Sequence, residues 1–229
     1  MTYKRPIIAI DGPSGAGKST LSKLLARELG LTNIDTGAMY RCVALAAARR
    51  GIDPGDHARL DRLCAELHID FSRSSAGERV LLDGEDVSLA IRTPEISLLT
   101  SRVAASPAVR QALVGLQQAL GQAGGVVLEG RDIGTVVFPR AEVKFFLSAS
   151  AEERGRRRFD ELRSRGVDVD LAQTIAEVRA RDEADSDREH APLLQAADAV
   201  VIDSTGKGID AVLAEMLRTV RDRTGIDQP

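Results

Sequence analysis

Eight residues near the amino terminus combine glycines, a lysine and a hydroxyl group in a spacing that suits phosphate chemistry. They fit the pattern G-x-x-x-x-G-K-[ST] and read Gly12, Pro13, Ser14, Gly15, Ala16, Gly17, Lys18, Ser19. Backbone N–H groups of such a loop wrap a phosphate at a helix N-terminus, and glycines permit the close approach. We expect Lys18 to span the β- and γ-phosphates of a nucleoside triphosphate, Ser19 to ligate Mg²⁺, and Thr20 to lie beside the α-phosphate.

Two arginines lie where a second phosphate could be held. Arg41 belongs to the segment 35–41, which follows the place where a short second strand would end, and Arg131 belongs to the segment 129–132, directly after an apolar run. Ligands of parallel α/β sheets bind at the carboxyl ends of strands. A forked guanidinium suits a phosphate better than an ammonium does. The two arginines could therefore meet one phosphate from two sides.

A third arginine-bearing segment is predicted to be helical. Offsets of four and three residues place Arg181, Asp185 and Arg188 on one face. A ladder of surface ion pairs has the same spacing, and taken alone the segment favours that interpretation. Together with the phosphate loop and the two arginines after strands, it favours a face that handles phosphate.

These residues need a sheet to position them. Short apolar runs rich in β-branched residues predict buried parallel strands at 7–10, 126–128, 143–147 and 199–202. Helical periodicity lies between them, as in the leucines of 21–29 and the apolar positions of 109–120, 171–178 and 209–220. Alternating strands and helices predict an α/β fold with a doubly wound parallel sheet.

Two stretches depart from this alternation. Residues 67–71 and 79–87 look like strands, and the second turns at Asp83-Gly84, so we predict a small insert at about 60–95. Residues 151–188 are crowded with arginines and predict two helices joined near Gly166. The predicted division is a single domain with a core at about 1–59, 96–150 and 189–229.

Composition excludes several classes of protein. The 229 residues are 43% hydrophobic and 28% charged and contain no Trp, which is ordinary globular usage and excludes disordered, collagen-like and membrane proteins. The net charge of −3 gives no global positive field for nucleic acid. Cys42 and Cys64 have neither zinc spacing nor the density of a disulfide scaffold. We expect two reduced thiols, a cytoplasmic protein, and no partner membrane or nucleic acid.

The motifs together resemble those of the bacterial cytidylate kinases. The matching segments run in the family's order from about residue 7 to 205: I-D-G-P-S-G-A-G-K-S-T at 10–20, D-T-G-A-M-Y-R at 35–41, E-G-R-D-I-G-T at 129–135, R-D-x-x-D-S-x-R at 181–188 and P-L-x-x-A-x-D-A at 192–199. This set is far more specific than the phosphate loop alone, because it exceeds what a shared fold requires.

The resemblance implies a fold and a reaction. The fold is the P-loop nucleoside-monophosphate kinase fold, a five-stranded parallel sheet flanked by helices, with the small β-containing insert binding the monophosphate and the segment 151–188 acting as a helical lid. The reaction is transfer of the γ-phosphoryl group from ATP, with Mg²⁺, to CMP or dCMP in pyrimidine nucleotide metabolism. The family also suggests a monomer.

The resemblance further implies roles for individual residues. Ser101, Arg110 and Asp132 would meet the cytosine, and Arg181 and Asp185 the sugar. Arg41, Arg131 and Arg188 would meet the monophosphate, with Tyr40 and Thr36 in the same pocket; some relatives carry serine at the position of Thr36. Arg157 is the best candidate among the lid arginines for ATP. The catalytic cations would be Lys18, Arg131 and Arg188, and no histidine is given a role.

The base assignment predicts selectivity between pyrimidines. Cytosine offers an amine donor at N4, which a carboxylate such as Asp132 can accept, whereas uracil places an acceptor there and would leave a buried polar group unpaired. Ser101 could instead cap a turn, and Arg110 could be an exposed helical residue.

Three other functions compete with this prediction. One is a kinase for AMP, UMP or shikimate. Another is a GTPase-like switch or an ATP-sensing module, although the sequence has no N-K-x-D or T-K-x-D guanine motif. The third is nucleic-acid binding through the arginine-rich segment, which interleaved acidic residues and an aromatic content of only 3% disfavour.

Overall fold

The computed structural model describes residues 5–74, 77–187 and 192–226. These residues fold into two compact units. The first unit comprises Met1–Asp35 and Gly121–Pro229, and the second comprises Thr36–Leu120. The predicted division into core, insert and lid stays a prediction.

The described residues form eight strands and eight α-helices. The strands are β1 (Ile7–Asp11), β2 (Thr32–Asp35), β3 (Ile69–Ser74), β4 (Gly77–Leu82), β5 (Glu85–Asp86), β6 (Val126–Gly130), β7 (Val143–Ser148) and β8 (Val200–Asp203). The helices are α1 (Lys18–Glu28), α2 (Thr36–Arg49), α3 (His57–Glu66), α4 (Pro94–Val103), α5 (Pro107–Gly121), α6 (Ala151–Ser164), α7 (Leu171–Ser186) and α8 (Ile209–Thr224).

The first unit is built on a five-stranded parallel sheet in the order β2-β6-β1-β7-β8. Its central strand β1 is apolar at almost every position because both faces of the sheet are covered, as expected for parallel strands. Ile8, Ala9 and Ile10 are fully buried. The predicted parallel sheet flanked by helices is therefore confirmed.

Helices cover this sheet and complete its core. Leu25 of α1 and Met216 of α8 pack in one apolar cluster with Ile8, Phe145 and Ile202 from the strands. This layer fixes α1, and therefore the loop that precedes it, against the carboxyl end of β1.

The helices α6 and α7 pack closely against each other. Their contact depends on Gly155 of α6, where a Cβ atom would lie 2.4 Å from Cγ1 and 2.9 Å from Cα of Ile175 in α7. The turn between the two helices includes Gly166 with a φ of 77°, near which the sequence predicted the junction. The two predicted helices of this segment are thus confirmed.

The second unit contains four helices and a small antiparallel sheet in the order β3-β4-β5. Asp83 and Gly84 have φ values of 51° and 84°, which a tight hairpin turn requires. The predicted hairpin is confirmed. Its apolar face packs in a cluster with α2, α3, α4 and α5, which includes Met39, Leu60 and Val109. Helices α2, α3 and α4 were not predicted from the sequence.

Among the described residues, none of the helices has the length and the apolar character that crossing a bilayer would require.

One substitution should have opposite effects at two glycines. Gly155→Ala should lower the free energy of unfolding by about 1–3 kcal/mol, because the new methyl group overlaps the backbone of Ile175. Gly115→Ala, inside α5 with open space around it, should raise the free energy by up to about 1 kcal/mol through helix propensity. Thermal unfolding of both variants checks this, and a Gly155→Ala variant as stable as the parent would contradict the close packing of α6 and α7.

Candidate active site

The predicted phosphate loop joins β1 to α1, and its backbone shape depends on glycine. Gly12, Gly15 and Gly17 have φ values of 145°, 77° and 95°, a region that residues with a Cβ rarely adopt. A Cβ at Gly12 would also lie 2.0 Å from the carbonyl oxygen of Leu147 in β7. At Gly15 it would lie 3.1 Å from Cβ of Arg154 in α6. The loop is therefore packed tightly between the sheet and α6.

Lys18 is folded into this loop. It is buried, and its Nζ donates hydrogen bonds of 2.7 Å to the carbonyl oxygens of Gly12 and Pro13. Burial is the main reason that the pKa of Lys18 lies well below its usual value, and the nearby charge of Arg131 lowers it further. An anionic phosphate nearby would raise the pKa of Lys18 again, since opposite charge favours the charged form.

A hydroxyl group and carboxylates meet beside the lysine. The Ser19 hydroxyl donates to Glu129 Oε2 at 2.8 Å, and Glu129 pairs in register with Asp35 on β2. Glu129 is buried, which together with the charge of Asp35 raises its pKa. This is a set of hard oxygen donors, which suits Mg²⁺ bound by one or two protein groups and by phosphate. The described part of the chain has no group of three or more His, Cys, Asp or Glu side chains that could hold a metal by itself.

Glu129 is a residue to which the sequence assigned no role. It lies at the end of the buried strand β6, and a carboxylate in such a position could have indicated a functional role.

An ion pair joins the end of β6 to α7. Arg131 Nε donates to Asp185 Oδ2 at 2.8 Å, and Asp185 is only 1% exposed. Arg181, one turn earlier on α7, lies close enough for its charge to lower the pKa of Lys18. The structure therefore brings together Lys18, Arg131, Arg181 and Asp185, while Arg188 lies outside the described residues.

Two arginines of α6 contact the surroundings of the phosphate loop. Arg157 donates to the side chain and the carbonyl oxygen of Ser204 at 3.1 and 2.8 Å. Arg154, which the sequence did not single out, donates to the carbonyl oxygen of Ser14 in the loop at 3.1 Å. Arg154 also forms a bidentate ion pair with Asp182 of α7, at 3.0 and 2.6 Å. Of these two arginines, Arg154 contacts the loop directly. The spacing of the arginines in the sequence did not indicate this.

Asp132 is buried at the start of a π-helical turn, Ile133–Val137. The carboxylate of Asp11, at the end of β1, accepts hydrogen bonds from the backbone N–H groups of Ile133 and Gly134 at 2.8 and 2.7 Å. Burial raises the pKa of Asp11 to about 6 despite these two hydrogen bonds, with the charge of Asp132 acting in the same direction. No role was predicted for Asp11 from the sequence.

The remaining predicted residues lie in the second unit. Thr36 is the buried first residue of α2, which also carries Tyr40 and Arg41, and Ser101 lies in the last turn of α4. Arg110 of α5 is 6% exposed, and its guanidinium carbon lies 5.9 Å from the ring centroid of Tyr40, a cation–π distance. The alternative of an exposed Arg110 is therefore wrong.

The buried carboxyl group of Asp11 should make stability depend on pH. Its pKa is about 6 in the folded protein and 3.8 ordinarily, so the unfolded state loses its proton first as pH rises. Asp11 therefore contributes most stability below about pH 4, and this contribution falls as pH rises through 6, by roughly 3 kcal/mol at most. The charged groups facing it are Asp132 and Lys18, with Lys144 near Gly134.

Urea unfolding of the parent protein and of Asp11→Asn across this pH range measures the effect. The difference between their free energies of unfolding should fall as pH rises, because the carboxamide does not titrate. Parallel curves for the two proteins would contradict the raised pKa.

Comparison with known proteins identifies relatives along nearly the whole chain. The family model described as cytidylate kinase matches residues 8–222. A cytidylate kinase of Syntrophotalea carbinolica is 65% identical over 223 residues, covering 97% of this chain and 95% of the relative. A cytidylate kinase of Geobacter sulfurreducens is 61% identical over 217 residues, covering 95% of this chain and 93% of the relative.

A solved structure shares the fold at much lower identity. It is an uncharacterized protein of Eubacterium ventriosum, 12% identical, with a TM-score of 0.54 over 96% of this chain and all of that one. The family model, the full-length relatives and the motifs around Lys18 and Arg131 agree, and the chain belongs to the cytidylate kinase family.

Proposed function

We propose that the protein transfers the γ-phosphoryl group of ATP to CMP or dCMP, giving ADP and CDP or dCDP. The observation that carries the proposal is the cluster at the carboxyl end of the sheet. There, a buried lysine inside a phosphate loop lies beside the Arg131–Asp185 pair that follows the neighbouring strand β6. The names of the relatives support CMP as the acceptor.

The donor side is proposed to be the phosphate loop, residues 12–20. Its backbone N–H groups would hold the phosphates of ATP at the start of α1, and Lys18 would exchange its bonds to Gly12 and Pro13 for phosphate oxygens. Ser19, with Glu129 beside it, would hold Mg²⁺, which neutralises charge on the phosphates when bound. Arg157 remains our candidate for a contact with ATP from the lid.

The acceptor side is proposed to use arginines and carboxylates in different roles. Arg131 and Arg188 would bind the phosphate of CMP with Arg41, while Arg181 and Asp185 would bind the sugar. The bond between Arg131 and Asp185 holds the guanidinium in a fixed orientation.

Asp132 is proposed to accept the amine of cytosine, with Ser101 and Arg110 as donors to the base. Arg110 stacked on Tyr40 is held in one orientation, which supports a role in recognition. Thr36 and Tyr40 would line the same pocket.

Such a reaction requires the protein mainly to position the two substrates and to neutralise the negative charge of their phosphates. The phosphate of CMP is already anionic, so its oxygen attacks without a strong base, and the transition state spreads negative charge over the transferred group. Lys18, Arg131 and Arg188 would supply positive charge to this group, and at the buried Lys18 that charge acts more strongly than in water. A monomeric state and a cytoplasmic location are further proposals.

An assay of ADP release from Mg²⁺-ATP tests the acceptor. CMP, dCMP, UMP, AMP and shikimate are offered separately. Turnover should be fast with CMP or dCMP, and catalytic efficiency with UMP should be lower by at least about tenfold, because uracil leaves Asp132 unpaired. Slow hydrolysis that no acceptor accelerates would overturn the proposal and favour a switch or a sensor. Equal efficiency with CMP and UMP would overturn only the role of Asp132.

Lys18 offers the sharpest test of the donor side. Lys18→Ala should lower kcat by about 100-fold or more, because a buried cation that neutralises the transferred phosphate is lost. Lys23→Met, an exposed lysine on the same helix, is the matched control and should keep normal turnover. Circular dichroism checks that both variants fold. A Lys18→Ala variant with near-normal turnover would remove Lys18 from the mechanism.

A further inference from the structure

Asp11 links the phosphate loop to the turn that carries Asp132. It is the last residue of β1 and directly precedes Gly12, and its side chain contacts the turn at 133–137. Its two carboxylate oxygens accept separate hydrogen bonds, from Ile133 N at 2.8 Å and from Gly134 N at 2.7 Å. The side chain is buried, at 4% exposure.

The turn needs these two acceptors. The carbonyl oxygen of Asp132 accepts from Val136 N and Val137 N at 2.8 and 3.2 Å, which closes the turn on itself. The N–H groups of Ile133 and Gly134 come first in the turn, where a helical segment offers no acceptor of its own. A carboxylate can satisfy both groups, whereas a neutral amide side chain offers one oxygen.

The hydrogen bond to Ile133 acts on the orientation of Asp132. The N–H of Ile133 and the carbonyl of Asp132 belong to one planar peptide unit. Holding that unit fixes ψ of Asp132, and with it the direction of its side chain relative to β6. A second bond one residue later prevents the unit from rotating about the first. The two bonds thus hold two consecutive peptide units, the one that follows Asp132 and the one that follows Ile133.

A charged acceptor in this place is costly. The carboxylate of Asp11 is removed from water and lies in the field of Asp132, which carries the same charge. A residue that merely ended a strand would avoid this cost. Lys18 supplies a compensating positive charge.

We infer that Asp11 is a positioning residue for recognition of the acceptor base, because it fixes the backbone that orients Asp132. The inference rests on the proposed function, in which Asp132 accepts a hydrogen bond from the amine of cytosine. Asp11 itself contacts neither substrate in this assignment. Its influence should appear in acceptor affinity and in the choice between cytosine and uracil.

Asp11→Asn tests the inference because it keeps the size and one oxygen of the side chain. We expect KM for CMP to rise about tenfold, the loss that one weakened buried hydrogen bond produces, and the preference for CMP over UMP to fall by a similar factor. KM for ATP should stay within about twofold. Calorimetric titration of CMP in the absence of ATP should show the same weakening.

The matched control is Asp203→Asn. Asp203 also ends a strand of this sheet, β8, and accepts from the next loop, at 2.9 Å from Thr205 N and 2.7 Å from Thr205 Oγ1. Both of these bonds stay within residues 203–205, so neither reaches the turn at 133–137. This variant should keep the KM for CMP and the preference over UMP.

A second variant keeps the test usable if Asp11→Asn does not fold. A Cβ at Gly134 would lie 3.3 Å from Asp11 Oδ2 and 3.1 Å from Cδ of Lys144. Gly134→Ala should therefore push the carboxylate away from the turn and produce the same rise in KM for CMP. Amide exchange at Ile133 and Gly134, followed by NMR, should become faster in either variant.

Two outcomes would overturn the inference. If KM for ATP rises while that for CMP is unchanged, Asp11 positions the phosphate loop instead. If stability falls but both KM values and the CMP preference are unchanged, its role is structural only. A parent protein that does not phosphorylate CMP would instead overturn the proposed function, so the two failures are distinguishable.

Discussion

The parallel pairing of β1 between β6 and β7 is the constraint on which the candidate site depends. In this register Asp11 lies opposite Gly130 on one side and Phe146 on the other. All three strands end at the same edge of the sheet. The phosphate loop after β1 and the segment at 129–132 therefore lie side by side at that edge. A slip of one residue would turn every side chain to the opposite face and separate Lys18 from Glu129. The fully buried Ile8 and Ile10 oppose such a slip, because it would move their large side chains to the face where the small Ala9 is buried.

Many charged groups lie at this edge of the sheet, where they are largely shielded from water. Buried or nearly buried ionisable groups of both signs lie there, and each depends on a partner: Asp11, Lys18, Glu129, Arg131, Asp132 and Asp185. Removing such groups from water costs free energy, which close pairing repays only in part. A protein whose only requirement was stability would place apolar residues here. Anionic groups of bound substrates would interact with these charges. Because the charges are already fixed in place, they would stabilise the substrates without a reorganisation of the protein.

The sequence predicted the frame of this site better than its fine geometry. Strand segments were identifiable because buried parallel strands are continuous apolar runs, and the hairpin because Asp83-Gly84 suits one turn. The phosphate loop was identifiable because its glycines and Lys18 have a fixed spacing. Helix α2 was not predicted, although its alanine-rich stretch 44–48 favours a helix, because the polar residues of 35–41 indicated a ligand-binding segment.

Other features could not follow from spacing. Asp11 contacts a turn 122 residues away, and Arg154 rather than a neighbouring arginine contacts Ser14, because of how α6 packs on the loop. Tertiary packing determines such contacts, and it cannot be inferred from local sequence patterns. The burial of Arg110 against Tyr40 belongs to the same class, since α5 alone does not reveal which of its faces is covered.

The bidentate pair between Arg154 and Asp182 has a consequence for how α6 and α7 meet an anionic ligand. The guanidinium also donates to the carbonyl oxygen of Ser14, so most of its donors already have acceptors within the chain. A phosphate group that approached Arg154 would have to displace Asp182, which acts as a tethered competitor that dilution cannot remove. The apparent affinity of such a ligand would be reduced by the strength of that internal pair. Release of the ligand would be assisted by the same carboxylate as it returned to its arginine.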